Sequence, residues 1–237
     1  MLQGDYLSVL EARNRDEFHE VVVHFAQSLG FETVSAMAVV DKGIGEAEFI
    51  TIDNTPAAFR QVFAGTGSGR RDPVMQHCKR NSVPIIWGQK TYLDNEAIDI
   101  WETQAPFGYR NGIAMALHLP EGKHFMFGVD RDQAMPTDRA ELTRLVADLQ
   151  LFAVHAQDTA MRVLISAQSQ PERPALRPRE LEVLRWTLDG KTAWEVAAVL
   201  AITERTVVLH LQNAMQKLGC NSKHQAVLKA LRLGLIY

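Results

Sequence analysis

The sequence predicts an α/β domain followed by a small all-α domain of four short helices. Three observations predict it. Residues 1–165 mix short segments of strand length, alternating or continuously apolar, with segments whose apolar residues recur every three or four positions. A polar run with two prolines, SAQSQPERP from Ser166 to Pro174, then breaks that pattern and reads as a linker over 166–175. Residues 176–237 carry helix start and stop signals at short intervals.

In chain order, helices are expected near 3–12, 14–29, 56–64, 71–81, 93–107 and 138–164, with strands near 33–41, 46–52, 112–119 and 124–130. The last helix has Leu142, Leu145, Val146, Leu149, Phe152 and Val154 at mixed three- and four-residue steps, enough apolar surface for both a core and a dimer interface. The glycine-rich stretch Gly65 to Arg70 lacks GxGxxG spacing, a Walker lysine and a preceding strand, so it reads as a loop rather than a phosphate cradle.

Helices are expected at 178–189, 193–200, 204–218 and 223–233 in the second domain. Thr192 with Glu195 and Ser222 with Gln225 have capping-box form, and Gly190, Gly219 and Gly234 stand where helices stop. The 178–189 helix starts differently: Arg177 occupies its N-cap and cannot accept from the first N–H groups, which leaves that end open to fraying, offset by Pro178 at N1 and a Leu176–Leu181 contact. The 193–200 and 204–218 helices have helix-turn-helix form, with Ile202 stapling onto Val207. In the 204–218 helix Val207, Leu211, Ala214, Met215 and Leu218 form the inward stripe, which leaves Arg205, Val208, Leu209, Gln212 and Gln216 outward.

Charge divides the same way. Residues 171–237 hold ten Lys and Arg against six Asp and Glu, net +4, while the whole chain is −3, so residues 1–170 carry −7. Only the C-terminal part is therefore expected to touch nucleic acid.

Residues 176–237 closely resemble the C-terminal DNA-binding domain of the LuxR/FixJ family: Glu180, Leu184 and Gly190 match its hallmark positions, and ERTVVLHLQNAMQKLG its recognition helix. The resemblance implies a double-stranded DNA operator bound through Thr192, Arg205, Thr206, Val208, Leu209, Gln212, Gln216, Lys217 and Lys223, with Arg205, Thr206, Lys217 and Lys223 available to anchor phosphates. Val208 stands where relatives carry Lys, Arg or Asn, and Gln212 where a basic residue is frequent. Valine cannot bond purine edges, so readout there falls to the thymine methyl or to DNA shape.

Phe59, Phe63, Asp72-Pro73, Trp87 and Gly112 have the order and spacing that resemble the autoinducer-binding domain of LuxR-type quorum-sensing receptors, over about residues 14–165 and including FGYRNGI from Phe107 to Ile113. That resemblance implies an α-β-α sandwich with a central antiparallel sheet, spanning 1–165, and a closed pocket for an N-acyl-homoserine lactone. Asp72 would accept the ligand's amide N–H and Trp87 would wall its lactone ring; Thr55, Trp101, Gly112 and Gly128 complete the expected site. Phe59 stands where the family usually has a tryptophan that donates to the lactone carbonyl, Phe63 where it has a tyrosine, Thr55 where another tyrosine is common, and Gly128 near a family Ser or Thr. Lost donors with retained shape predict a more apolar pocket and an atypical or solo receptor. Read from residues alone, Asp72-Pro73 is equally a helix cap and Trp87 a core aromatic.

The resemblance implies a homodimeric, cytoplasmic regulator, with RNA polymerase and other LuxR-type receptors as further partners. An alternative is a signal-independent regulator or heterodimerising antagonist whose first domain is an interaction module. An enzyme is not expected: His24, His77, His118, His124 and His155 lack metal-ligand spacing, and there is no nucleophile elbow. Nor are the acidic pair and phosphoacceptor of a response regulator present. Cys78 and Cys220 stand far apart without a CxxC pair, no cofactor is called for, and neither a membrane span nor a signal peptide is read.

Overall fold

The computed structural model describes residues 5–43, 46–63, 68–165 and 174–237. These form two compact units, a larger N-terminal one and a smaller C-terminal one from residue 174 onward. The linker stretch 166–173 and the loop residues 64–67 lie outside the described residues.

The larger unit opens with α1 (Asp5–Ser8) and a 3-10 turn, then α2 (Arg15–Ser28), β1 (Thr33–Gly43), β2 (Glu46–Asp53) and α3 (Ala57–Phe63). It continues through α4 (Pro73–Arg80), β3 (Ile85–Trp87), α5 (Gln89–Asp94), α6 (Ile98–Gln104), β4 (Asn111–Leu119), β5 (Lys123–Arg131) and α7 (Arg139–Val163). Polar side chains start the long helices: Asn14 accepts from the N–H groups of Asp16 and Glu17 before α2, and Asp138 from that of Glu141 before α7.

The sheet is antiparallel throughout, in the order β2-β1-β5-β4-β3. Strand alternation sorts its side chains into two faces. Ala36 and Ala38 of β1, Ile113 of β4, and Phe125 and Phe127 of β5 pack with Phe18 and Val22 of α2 and Leu149 and Phe152 of α7. Phe25 stacks on Phe152 at 3.8 Å between centroids. Removing a side chain of this size from water is worth about 1.5–3 kcal/mol, so this face carries most of the unit's apolar burial. Opposite it, Ala114 and Ala116 meet Val74, Cys78, Trp87, Tyr92 and Ile100 beneath α4, α5 and α6. The result is the α-β-α layering expected from the resemblance.

Two elements differ from expectation. β3 went unread because three residues are too few to show alternation, and it is a strand only through pairing with β4. The helix expected over 93–107 is interrupted: Glu96 takes a left-handed φ of 54° between α5 and α6, and a 3-10 turn holding Pro106 follows Gln104. In α7, Leu149, Phe152, Ala153, Ala156 and Ala160 point inward, whereas Val154, one of the apolar residues expected to serve core and dimer interface, is 51% exposed near Leu151.

The smaller unit comprises α8 (Pro178–Leu188), α9 (Ala193–Leu200), α10 (Glu204–Leu218) and α11 (Lys223–Arg232). Thr192 and Glu195 exchange both capping-box bonds, at 3.3 and 2.8 Å, whereas Gln225 reaches past Ser222 to the N–H of Asn221. The start of α8, expected to fray, is tied by Glu180, whose carboxylate accepts from the N–H of Arg177 at 2.7 Å. Among the described residues no helix is long and apolar enough to cross a membrane.

Candidate functional site

Beneath α4–α6, the sheet face that points away from α2 and α7 holds two neighbouring hollows. The inner one, about 160 Å³, is lined by Asp72, Trp87, Tyr92, Gln104, Gly128 and Asp130, among others. The outer one, about 400 Å³, runs towards Val39, Phe49, His118 and His124. Met75, Cys78 and Met126 line both, so two flexible thioethers and a thiol form the wall between them.

Asp72 is the helix cap that its Asp-Pro pair announces, and it also lines the inner hollow. Its Oδ1 caps α4, accepting from the N–H groups of Val74 and Met75 at 2.8 and 3.0 Å, and Pro73 fills N1. Its Oδ2 accepts from the Tyr92 hydroxyl at 3.4 Å. Burial raises the Asp72 pKa above the usual carboxylate value in spite of these bonds. Burial likewise pushes the Cys78 thiol up to about 11, which leaves it a neutral wall residue.

Trp87 is buried and meets Tyr92 edge-on, ring centroids 5.7 Å apart. Gly112 is its partner on β4, and a Cβ there would lie 2.6 Å from the indole. Gly112 thus acts by making room for the tryptophan. Gly128 does line the inner hollow, and a Cβ there would meet only Ala114 at 3.9 Å.

Other expected residues form a flank rather than a lining. Phe59 stacks on Tyr109 at 4.2 Å, and the Tyr109 hydroxyl donates to Thr55 Oγ1 at 3.1 Å. Trp101 packs on the same cluster but donates its indole N–H to the Arg110 carbonyl at 3.1 Å. The side chain of Phe63 lies outside the described residues.

Sequence reading missed Tyr92, Gln104, Tyr109 and Asp130, which bring most of the polar chemistry to the hollow. Asp130 is 9% exposed, accepts from Thr33 Oγ1 at 3.4 Å, and is pushed up to about 7 by burial, with nearby Asp72 adding to the shift. Gln104 is 5% exposed, and among the described residues its Nε2 has no hydrogen-bond partner. Only a strand's alternation could have flagged Asp130; nothing local marks Gln104.

In the smaller unit the turn between α9 and α10 passes through Ala201 at a φ of 53°, and Thr203 caps α10 by accepting from the N–H of Thr206. Val207, Ala214 and Leu218 are buried, while Arg205, Val208, Leu209, Gln212 and Gln216 lie on the exposed face. Thr192 and Lys223 are exposed at the starts of α9 and α11. Lys217 departs from the phosphate role expected of it: its Nζ lies 2.8 and 3.1 Å from the two carboxylate oxygens of Glu180 and 3.1 Å from the Ala175 carbonyl. Glu180 is 1% exposed, and a carboxylate removed from water needs that counter-charge.

Comparison with known proteins agrees with both halves. Residues 14–160 match the family model for the autoinducer binding domain, and residues 174–230 that for bacterial regulatory proteins of the luxR family. The transcriptional activator protein AnoR of Acinetobacter nosocomialis is 30% identical over 235 residues, covering 99% of this chain and 98% of AnoR. The HTH-type quorum sensing-dependent transcriptional regulator RpaR of Rhodopseudomonas palustris is 32% identical over 217 residues, 88% of this chain and 84% of RpaR. Among solved structures, SdiA in complex with octanoyl-rac-glycerol superposes with a TM-score of 0.76 at 25% identity, covering 98% of this chain and 93% of SdiA.

Proposed function

Because the chain belongs to the LuxR family of autoinducer-binding transcription regulators, we propose that it binds an N-acyl-homoserine lactone in the paired hollows and a two-fold symmetric DNA operator as a homodimer. The observation that carries this reading is the inner hollow itself, where Asp72, its Oδ2 accepting only the long bond from Tyr92 among the described residues, lines the same space as buried Trp87. Asp72 accepts the amide N–H of the signal, Trp87 packs on its ring, and the acyl chain passes Met75 and Met126 into the outer hollow. A pocket N–H left without an acceptor would weaken binding by about 1–3 kcal/mol, which is what Asp72 prevents. Signal acts only through a higher affinity for the DNA-competent state than for the other. Exposed Leu151 and Val154 on α7 give the dimer an apolar contact.

A second ligand class has a specific observation behind it. Phe59 brings no donor and is stacked away on Tyr109, and the similar SdiA has been solved with octanoyl-rac-glycerol. Thermal unfolding with a panel of acyl-homoserine lactones and octanoyl-rac-glycerol separates the two. A bound lactone at a hundredfold excess over its Kd adds about 2.7 kcal/mol, a rise of roughly 5 °C or more. Asp72→Asn is expected to abolish the lactone shift while leaving DNA affinity of the folded protein intact. No shift with any lactone would refute the lactone assignment.

On the DNA side, Gln212 and Gln216 are outward residues of α10 equipped to bond base edges, and Arg205 one equipped to bond phosphates. Gln212→Ala is expected to lower discrimination at one base pair by about 1–3 kcal/mol, and Arg205→Ala to weaken binding to all sequences alike and reduce the salt slope by about one. Competition binding at two salt concentrations distinguishes them; the reverse pattern would overturn this docking of α10.

A further inference from the structure

We infer that Gln104 is the hydrogen-bond donor to the carbonyl oxygen of the signal's head group. The inference rests on the pocket reading above and goes beyond it by naming a residue outside the motif that suggested that reading. Gln104 is the last residue of α6, 5% exposed, and its side chain lines the inner hollow together with Asp72, Trp87 and Tyr92. Its Nε2 makes no hydrogen bond of good geometry among the described residues, although the Tyr92 hydroxyl is its neighbour. Most buried polar atoms in folded proteins are bonded, and a donor left unbonded in a low-dielectric cavity wall is expensive to keep. Such an orphan at the edge of a hollow is explained by a group that arrives with the ligand.

Several polar groups in and beside the hollow are already engaged. Asp72 is an acceptor already served on Oδ1 by two backbone N–H groups and reached on Oδ2 by Tyr92. Tyr109 gives its hydrogen to Thr55, and Trp101 gives its own to Arg110. Phe59 has no donor to give. Gln104 is a buried amide donor of this wall whose Nε2 makes no hydrogen bond of good geometry among the described residues. The ligand class that uses both ends is a head group offering an N–H to Asp72 and, across it, a carbonyl acceptor to Gln104: a ring lactone or lactam carried on an amide.

The test uses the full-length protein and two probes of one chain length, N-octanoyl-L-homoserine lactone and N-cyclopentyloctanamide, which keeps the amide and the ring but lacks the ring carbonyl. The parent is expected to bind the lactone about tenfold more tightly than the cyclopentyl amide. Gln104→Leu, and Gln104→Met as a second variant of similar volume, are expected to lose that preference by weakening the lactone alone. Without ligand both variants should melt no lower than the parent, because the substitution removes an unbonded donor; a residue of purely structural role would not give that combination. Equal weakening of both probes, or an unchanged preference, would overturn the role of Gln104 while leaving the pocket reading standing. Binding of neither probe to the parent would overturn both.

Discussion

Lys217→Ala is expected to destabilise the C-terminal unit by about 3 kcal/mol, the lower end of the range for breaking a buried ion pair, since Lys217 itself is 33% exposed. The carboxylate it would leave behind is 1% exposed and also holds the N–H of Arg177 at the start of α8. Burial acts to raise the pKa of Glu180, but the Lys217 and Arg177 bonds outweigh it and hold the group below its ordinary value. Linkage fixes the sign: a depressed folded pKa contributes stability above the unfolded value that is lost as pH falls through the folded one. Without Lys217 the desolvation of Glu180 is opposed only by Arg177, so its pKa rises and the variant is least stable at neutral pH, recovering part of the loss on mild acidification. Amide hydrogen exchange across residues 176–237 at two pH values measures this unit by itself. The double replacement Glu180→Leu with Lys217→Met should restore most of the stability. A Lys217→Ala protein as stable as the parent, yet weakened on every DNA sequence, would return Lys217 to the phosphate role.

The pairing of Lys217 with Glu180 shows where sequence reading stops. Lys217 lies near the exposed end of a basic helix, and periodicity assigns it to solvent; only the fold brings it to Glu180, 37 residues earlier. The helix boundaries of the C-terminal unit were legible because caps are local chemistry, a Thr or Ser with its partner three residues on. Asp72 was legible for the same reason, since an Asp-Pro pair announces a helix start whether or not the carboxylate faces a cavity. Trp87 and Gly112 carried a spacing, but not their mutual relation: the glycine is required by the indole across a strand pair too short to be read. Gln104 and Asp130 were invisible, since a lone polar residue in a helix or at a strand end reads as solvated until tertiary packing buries it. The polar half of the pocket is therefore a product of topology, while its apolar outline is a product of pattern.

Asp130→Asn is expected to make the protein more stable at alkaline pH, by on the order of 3–4 kcal/mol at pH 8, while changing little near pH 4. The carboxyl is pushed from the usual 3.8 to about 7, chiefly by burial, with the Thr33 bond opposing and Asp72 reinforcing the shift. Between these two values the folded protein binds a proton that the unfolded chain has released, so stability falls as pH rises through that window and the full penalty stands above pH 7. Asparagine keeps an acceptor for Thr33 Oγ1 and never ionises, so it removes the penalty without emptying the site. Urea unfolding of parent and variant from pH 4 to pH 8 gives the comparison, and the difference between the two cancels contributions from other titrating groups. Parallel pH profiles would mean that Asp130 is ionised in the folded protein throughout. Diverging profiles would mean that below about pH 7 the inner hollow holds a neutral carboxyl group beside Asp72, able to donate as well as accept.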